Sequence, residues 1–443
     1  MNKDELPAVR SAAFSPSPQP SPARGEGAKS VSPKAALPSS MFIVSEREGC
    51  CDVAIVGGGP VGAILAHVLA REGFAVTVLE RESLPRQANV GVSGFDGRAI
   101  ALAEGGRRLL AGWGLWDALQ AQAEPIERIH VNLRGAYGAA RFAADEEGVN
   151  ALGQVLDSAR MAPVLLQAAR ASGAKWCAPA AYVAHEVDVS GVTVRYATEG
   201  VEKHVRARLL VAADGAGSAV RAGLGGEVQG RDYGQTAILA RVEVEHAAAR
   251  TAFERFTEEG PIALLPMGGA RYSLVWVTNT HAVAARLALS DAEFLTELGA
   301  RFGLRLGRFV EVGARSTYAL RATTSEQITA PRVVVLGNAA HALHPVAGQG
   351  LNLCLRDIRA LLGELSSAQQ EGRDIGGADV LAAYAASRAP DYAKSYPVMD
   401  VLARGFTNAV PVPRLFKGLA LAAMDALPPL RKRFVRQMMG LNG

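Results

Sequence analysis

The chain has 443 residues, of which 49% are apolar and 20% charged, a composition typical of a globular protein with two or three domains. No uncharged apolar run reaches the roughly 18 residues that a membrane span needs, and the four cysteines show neither metal-ligand nor disulfide spacing. The formal net charge of +4 is small, and the C-terminal basic residues alternate with aliphatic rather than stacking side chains. We therefore predict no structural metal, no nucleic-acid partner and a reduced, cytoplasmic setting.

The first 48 residues are predicted to form a disordered extension. Residues 1–40 contain seven prolines, eight serines and few large apolar side chains, so burial cannot offset the entropy of ordering them. The stretch SPSPQPSPARGEG resembles translated bacterial intergenic repeat sequence, and Met41 is a candidate for the natural start.

A complete strand–helix–strand unit follows. A buried strand at Val53–Val56 leads into GGGPVG and an amphipathic helix, and a second strand, Ala75–Leu79, ends at Glu80. In such units the glycines permit a tight turn and close approach of a pyrophosphate, and the terminal acid accepts hydrogen bonds from a ribose. The predicted dinucleotide contacts are Gly57, Gly59, Pro60, Val61, Gly62 and Glu80.

The next stretch yields weaker predictions. Arg98 precedes an amphipathic helix that runs through Trp116, and this arginine is either a diphosphate contact or a surface cation. The patterns further along predict a hairpin at Pro125–Phe142, a helix at Gln154–Ala171 and strands at Val183–Tyr196 and Glu202–Leu210.

Asp214 ends another buried strand, in the stretch LLVAADGAGSAVR, and a helix is predicted to start at Ser218. Ligands bind at the carboxyl ends of strands in open α/β sheets, which makes Asp214 a candidate binding residue. The alternative is that Asp214 only caps the following helix.

From Ala237 the apolar period changes to two, which predicts antiparallel strands with one helix, Asp291–Phe302, among them. Past Pro390 the pattern is helical, and Pro397, Pro411, Pro413, Pro428 and Pro429 are expected to limit each helix.

The stretch RVVVLGNAAHALHPVAGQGLNLCLRD, Arg332–Asp357, predicts a strand, a glycine-rich loop and a helix. A helix that starts at such a loop presents unpaired N–H groups to a negatively charged or electron-accepting group. Its histidines, His341 and His344, are either ligand contacts or structural residues.

Together, GGGPVG with Glu80, AADGAGSAVR and GNAAHALHPVAGQGLNLCLRD resemble the class A FAD-dependent aromatic hydroxylases, which have the para-hydroxybenzoate hydroxylase fold. The stretches GRAIALAEGGRRLLAGWGLWDAL, PIERIHVNLRGAYG and FERFTEEGPIALLP resemble the ubiquinone-biosynthesis hydroxylases of that class. The resemblance covers the chain from about Cys51 to Gly443.

The resemblance implies an α/β fold: a Rossmann-like FAD-binding domain, an inserted antiparallel β-sheet substrate domain and a helical C-terminal region. The FAD-binding domain would comprise residues 51–125, 151–227 and 324–390. The substrate domain would comprise 126–150 and 228–323, and the helical region 391–443.

The resemblance also implies residue roles. The ADP half of FAD would contact Gly57, Gly59, Gly62 and Glu80. Arg98 would reach the diphosphate, Asp214 the cofactor and the nicotinamide site, and Asn338, where many relatives have Asp, the ribityl chain. The flavin ring edge would face Gly348, Gln349, Gly350 and Asn352.

By the same resemblance, NAD(P)H would reduce the flavin transiently, and oxygen would form a C4a-hydroperoxide that hydroxylates a polyprenylated phenol in ubiquinone biosynthesis. Because the cofactor carries this chemistry, His344 is the only catalytic candidate, as a polar contact near the ring. Leu264, Leu265, Pro266 and Met267 would provide apolar cover.

Two other functions fit the same motifs: a flavin-dependent polyprenyl-lipid reductase and a non-catalytic FAD-binding assembly subunit. From Val401 onward the chain has seven Lys or Arg against one Asp, interspersed with large apolar residues. This tail is either a peripheral contact with the inner membrane, a docking surface for a biosynthetic complex, or a helical cap with a solvated basic face.

Overall fold

A β–α–β unit opens the folded chain. The computed structural model describes residues 50–84, 99–225, 228–342, 348–405 and 414–441. Strand β1 (Cys50–Val56) leads into helix α1 (Pro60–Arg71) and strand β2 (Val76–Leu79). Proline at the first position of α1 costs no hydrogen bond, because that N–H would have no helical partner. The helix buries every residue from Gly62 to Leu69.

The remaining elements follow in chain order. The other strands are β3 (Ala99–Ala103), β4 (Glu124–Ile126), β5 (Arg128–Leu133), β6 (Ala139–Ala143), β7 (Gly153–Asp157), β8 (Lys175–Cys177), β9 (Ala181–Asp188), β10 (Gly191–Thr198), β11 (Val201–Ala212), β12 (Val228–Val244), β13 (Thr251–Phe256), β14 (Pro261–Pro266), β15 (Arg271–Asn279), β16 (Phe309–Val312), β17 (Ser316–Ser325), β18 (Thr329–Ala330), β19 (Val333–Val335) and β20 (His341–Ala342). The other helices are α2 (Glu104–Gly112), α3 (Trp116–Leu119), α4 (Ser158–Ala171), α5 (Ala219–Gly223), α6 (Val283–Leu287), α7 (Asp291–Phe302), α8 (Gln349–Gln370), α9 (Ala378–Gly405), α10 (Arg414–Ala426) and α11 (Pro428–Met438).

The first sheet has the order β18-β19-β11-β1-β2-β8, in which β19, β11, β1, β2 and β8 are parallel. The antiparallel hairpin of β9 and β10 extends it from β11. Apolar cores lie on both of its faces, and α1, α4 and α8 contribute to one of them. Burial on both faces explains why the central strands are continuous apolar runs rather than alternating ones.

The second sheet has the order β20-β17-β12-β15-β14-β13-β5-β6, with β16 paired to β12. Its described pairs are antiparallel except for β5 with β13. Helix α7 covers one face, where Phe294 and Leu298 pack on Trp276 and Phe253. The predicted bounds of α7 are confirmed, and a capping box of Ser290 and Glu293 fixes its start.

A small third sheet, with the order β3-β7-β4, is formed by strands that lie between β2 and β8 in the sequence. Two predicted elements differ from the structure, one of them because of this sheet. The predicted helix Gln154–Ala171 begins only at Ser158, because residues 153–157 pair with β3 and Asp157 then caps α4. The predicted strand Val183–Tyr196 is two strands, since Asp188 accepts hydrogen bonds from Ser190 and Gly191 and turns the chain.

The prediction that Pro397 limits a helix is wrong, because α9 continues through it, as it does through Pro390. Arg388 and Tyr392, on either side of Pro390, both bind Asp357 of α8 and hold the two flanking turns in place. No helix among the described residues is long and apolar enough to cross a bilayer.

Candidate active site

The three predicted motifs meet at one edge of the first sheet. Strands β1, β2, β11 and β19 are parallel, so their carboxyl ends at Val56, Leu79, Ala212 and Val335 lie side by side. Backbone hydrogen bonds join the residues that follow: Gly57 N donates to Leu79 O at 2.9 Å, and Leu336 N donates to Ala212 O at 2.9 Å. A single cavity of about 1310 Å³ opens at this edge.

The glycines of the first turn are required by close packing. A Cβ at Gly57, whose φ is +104°, would lie 2.4 Å from Ala213 O. A Cβ at Gly62 would lie 1.9 Å from Gly57 O, so α1 could not pack on the turn. Gly59, Pro60 and Val61 line the cavity, whereas Gly62 itself lies behind it.

Glu80 is buried at the end of β2 and lines the cavity. Its Oε2 accepts a hydrogen bond from Gly58 N at 2.6 Å, and its Oε1 accepts one from Glu82 N at 3.0 Å. The carboxylate therefore orders the glycine turn and keeps further lone pairs for a ligand.

Asp214 both caps a helix and lines the cavity. Its Oδ2 accepts hydrogen bonds from Ala219 N at 2.8 Å and Val220 N at 3.4 Å, as a capping residue does. Its Oδ1 is buried without a hydrogen-bond partner among the described residues. Ser218 is the N-cap residue of α5, so Asp214 supports the first turn of that helix from outside the cap position, and this role accounts for only one of its two oxygens.

Arg221, which the sequence did not single out, joins two of the motifs. Its guanidinium is buried and donates to Ala216 O at 2.8 Å and to Ala339 O. Asn338 sits in the short turn before that carbonyl and lines the cavity. A Cβ at Gly337 would lie 3.0 Å from Val61, so the turn also packs closely on α1.

The start of α8 forms another side of the cavity, to which Gly348, Gln349, Gly350 and Asn352 contribute. Gly348 has a left-handed conformation, and a Cβ there would lie 2.7 Å from Ala101. The Asn352 amide binds the backbone on both sides: Oδ1 accepts from Ala103 N at 2.8 Å, and Nδ2 donates to Ala101 O and Gly348 O. The Asn352 side chain therefore fixes the loop against β3.

The C-terminal helices complete the wall. The Gln349 amide donates to Met438 O at 3.1 Å, and Gly105 N donates to Met439 O at 2.8 Å. Gly138 and Gly418 allow a backbone contact between the β5–β6 turn and α10, because a Cβ on Gly418 would lie 2.3 Å from Tyr137 O. The cavity-lining residues from these helices are Ala420, Leu421, Met424, Phe434, Val435, Met438 and Met439.

The prediction that Leu264–Met267 provide apolar cover is correct for two of these four residues. Leu265 and Met267 line the cavity, but Leu264 packs on the opposite face of the sheet, with the α7 cluster. Successive side chains of a strand point to opposite faces, so at most every second residue of the run can face a ligand.

His341 belongs to a buried polar network behind the cavity. Its Nε2 lies 2.6 Å from Asp357 Oδ2, and Asp357 Oδ1 accepts from Arg388 Nε at 2.7 Å and Tyr392 Oη at 2.9 Å. Burial and the charge of Asp357 raise the pKa of Tyr392 far above its usual range. These contacts favour the structural interpretation of His341. Arg98 and His344, predicted as cofactor and catalytic contacts, lie outside the described residues.

The arrangement fits a dinucleotide with a planar ring system. The glycine turn and α1 provide backbone N–H groups for a pyrophosphate, Glu80 lies at the adenosine position of such folds, and Asp214 Oδ1 lacks a partner. At about 1310 Å³, the cavity exceeds the roughly 300–1,000 Å³ usual for one small ligand, which leaves room for a second molecule.

Comparison with known families decides the assignment. Residues 50–395 match the family described as FAD binding domain. The chain is 37% identical to the ubiquinone hydroxylase UbiL of Rhodospirillum rubrum over 399 residues, which cover 90% of this chain and 91% of that protein. The protein belongs to the FAD-dependent ubiquinone hydroxylase family. The 3-demethoxyubiquinol 3-hydroxylase of Escherichia coli is a further relative, 32% identical over 88% of this chain and 98% of its own.

Solved structures support the fold of this hydroxylase family. The chain superposes on p-nitrophenol 4-monooxygenase PnpA of Pseudomonas putida with a TM-score of 0.71 and 20% identity, covering 89% of this chain and 99% of that one. OxyS anhydrotetracycline hydroxylase of Streptomyces rimosus gives a TM-score of 0.68 at 22% identity, over 89% and 77% of the two chains. The predicted fold class, with a parallel FAD sheet, an antiparallel substrate sheet and C-terminal helices, is confirmed.

Proposed function

We propose that this hydroxylase inserts oxygen into the aromatic ring of a polyprenylated phenol, of the 2-octaprenyl-6-methoxyphenol type, at the expense of NAD(P)H and O₂. The observation that carries the proposal is the continuity of the cavity. It runs from the glycine turn to an apolar wall built by the second sheet, α10 and α11. Such a wall suits an isoprenoid chain better than a small polar substrate.

FAD is held, in this proposal, by residues from all three motifs. The first turn of α1 and Glu80 take the ADP half, Asn338 the ribityl side, and Asp214 Oδ1 accepts a cofactor hydroxyl or amide hydrogen. When bound, FAD supplies the redox chemistry with dioxygen. The N–H groups of the first turn of α8 stabilise negative charge at the ring edge, because the positive end of the 22-residue helix points there.

Gly350 is where the flavin edge is proposed to lie. A Cβ at this position would meet no described protein atom within 4 Å, so the fold itself does not require glycine. The open space is instead suited to a ring that approaches the backbone. Asn352 acts behind it by holding the loop to β3.

The C-terminal helices are proposed to touch an anionic membrane surface, where polyprenyl substrates dissolve. Phe416 and Leu419 on α10 are 60% and 53% exposed, and Leu427 and Leu430 continue the apolar surface. Exposed Lys432, Arg433 and Arg436 follow on α11. Apolar side chains next to cations are the composition of an interfacial helix. We define this set of seven residues as the C-terminal surface; a biosynthetic protein complex is the other partner that it would suit.

The proposed function is tested by complementation. The gene would be expressed in bacterial strains that each lack one ring hydroxylase of ubiquinone biosynthesis, and lipid extracts would be analysed by mass spectrometry. We expect rescue of one or more of these strains, with loss of the accumulated polyprenylphenol. A protein that oxidises NAD(P)H without consuming oxygen, or rescues none of the strains, would refute it.

A further inference from the structure

Among the described residues, one carboxyl group, that of Glu254, stands on the apolar wall of the cavity. Along β13, Ala252, Glu254 and Phe256 line the cavity. Phe253 also contributes to the lining but packs with the α7 cluster, and Arg255 donates to Arg301 O. The neighbouring strands place Val131 and Ala263 directly beside Glu254 in register. The carboxyl is therefore surrounded on its sheet by aliphatic side chains.

No described residue forms a hydrogen bond or ion pair with this carboxyl. The other charged groups of the cavity are either engaged or lie at the cofactor edge. Arg241 pairs with Asp157 at 2.5 Å, and Arg315 pairs with Asp291. Glu80, Arg81 and Asp214 lie at the carboxyl edge of the first sheet, whereas β13 belongs to the second sheet.

The Glu254 carboxyl is half-buried and faces the cavity. A ligand that displaces the cavity water leaves this carboxyl without hydrogen bonds unless the ligand supplies one, at a cost of roughly 1–3 kcal/mol on mutational evidence and more for a charge. Burial alone raises the pKa of Glu254 to about 7, so its proton is held weakly enough to be exchanged near neutrality. A group of this kind is explained by a ligand that supplies the missing hydrogen bond.

We propose that Glu254 is a catalytic residue that accepts the hydrogen bond of the substrate's ring hydroxyl and takes its proton. The proposal rests on the function proposed above and identifies the group that recognises the phenol. The O–H bond of the phenol breaks, its proton moves to a Glu254 Oε, and the electron pair stays on the phenolate oxygen. That charge delocalises into the ring and makes the ring carbon a stronger nucleophile towards the oxygen atom that the FAD chemistry supplies.

Glu254 then gives back the proton that it took, so its protonation state is unchanged after one turnover. The ring carbon that gains the hydroxyl loses its own hydrogen as a proton to solvent, which restores aromaticity. Glu254 returns its proton to the phenolate oxygen, and the carboxylate is ready for the next substrate. Apolar neighbours strengthen the interaction because they exclude competing water.

The test compares a phenol with its methyl ether in the oxidised holoenzyme. The probes are 2-methoxyphenol and 1,2-dimethoxybenzene, titrated against the flavin absorbance without NAD(P)H. The variants are Glu254→Gln, Glu254→Leu and the control Glu311→Gln, an exposed carboxylate on β16 of the same sheet. FAD content and melting temperature verify that each variant is folded.

We expect the wild type and Glu311→Gln to prefer the phenol by about tenfold, since the ether cannot donate a hydrogen bond. Glu254→Leu should bind both rings equally. Glu254→Gln should keep part of the preference, because its side-chain carbonyl accepts the hydrogen bond. In a separate turnover assay with NAD(P)H and 2-methoxyphenol, its kcat should fall about 100-fold with little change in KM, because the amide cannot take the proton.

The possible failures are distinguishable. If Glu254→Leu keeps the wild-type preference, Glu254 does not contact the hydroxyl, and the proposed function is untouched. If the wild type binds neither ring, or prefers the ether, the phenol substrate class itself is refuted and the role of Glu254 with it.

Discussion

At the scale of single residues, the site depends on two kinds of residue. Some are packed so closely that no larger side chain fits, and others have carboxyl oxygens without a hydrogen-bond donor. The turn before α1 places the Gly62 Cα where any side chain would meet Gly57 O. Asp214 and Glu254, in contrast, each present oxygen atoms for which the described protein offers no donor. The first kind of residue fixes the shape of the cavity, and the second leaves hydrogen-bond acceptors available to a ligand.

Gly62→Ala should abolish FAD retention. The new Cβ would lie 1.9 Å from Gly57 O, and relieving that contact requires α1 to move away from the turn. The measurement is flavin absorbance per mole of purified protein. Gly363→Ala, exposed on α8 with open space around it, is the control and should retain FAD fully. A Gly62→Ala protein purified with stoichiometric FAD would contradict the packing argument.

Glu254 should also make stability depend on pH. Its folded pKa of about 7 lies above the ordinary value of 4.5, so between these values the native state binds a proton that the unfolded state has lost. The free energy of unfolding therefore falls as pH rises from about 4.5 to about 7.

Glu254→Gln should flatten this dependence and, above pH 7, raise the free energy of unfolding by about 2 kcal/mol, less than the full linkage value because the Glu254 side chain is only half-buried. Urea unfolding at pH 5 and pH 8 measures both effects. Glu311→Gln, which is exposed, should leave the slope unchanged. An unaltered slope in Glu254→Gln would show that the carboxyl is already solvated.

At the scale of elements, the Asp357 network joins β20, α8 and α9. Asp357 faces His341, Arg388 and Tyr392 with its two oxygens, and all four side chains are buried. The stacked rings of Tyr392 and Tyr396, 5.2 Å apart, lie beside it. The turn that carries Asn338 is thus held from behind by a helix that is distant in sequence.

Asp357→Asn should lower the free energy of unfolding by roughly 3 kcal/mol, because the buried Arg388 loses the charge that compensates for its burial and one of the two acceptor oxygens of the network is replaced by an amide donor. Differential scanning calorimetry gives the change in melting temperature. Arg373→Gln removes solvent-facing ion pairs with Glu371 and Asp379 and should change the melting temperature little. Equal effects of the two substitutions would mean that the buried network contributes nothing beyond a surface pair.

The sequence predicted these elements unevenly, for physical reasons. The glycine turn and α7 are specified by local rules, close packing in one and a capping box in the other. Strand β7 was missed because its five residues pair with β3, fifty residues earlier, and carry no local strand signal. Glu254 was missed because the polar residue of an alternating strand is normally read as facing solvent. Here that face is the inside of the cavity.

At the scale of the whole molecule, two sheets and the C-terminal helices enclose one continuous cavity. The first sheet contributes the motif edge and the second an apolar wall, while α10 and α11 close the remaining side. The C-terminal surface lies on the same helices whose inner residues Met424 and Phe434 line the cavity. Under the function proposed above, these two helices connect the membrane-facing side of the protein to the cavity that takes the substrate.

The C-terminal surface should bind anionic vesicles. Phe416→Ser with Leu419→Ser should reduce co-sedimentation with phosphatidylglycerol vesicles by about tenfold, since two large apolar contacts with the interface are lost. Added salt should weaken binding of the wild type. Val310→Ser, a substitution at an equally exposed apolar residue on β16, is the matched control. Binding that survives the double substitution would place the contact elsewhere or favour a protein partner.

The two backbone contacts of α11 tie two distant loops to the end of one helix. The loop at the start of α8 is held by Met438 O, and the start of α2 by Met439 O. Both acceptors are backbone carbonyl oxygens, so a change of either methionine side chain leaves the hydrogen bonds in place. Fraying of the last turn of α11 would instead release both loops at once, which couples local unfolding of this helix to opening of the cavity.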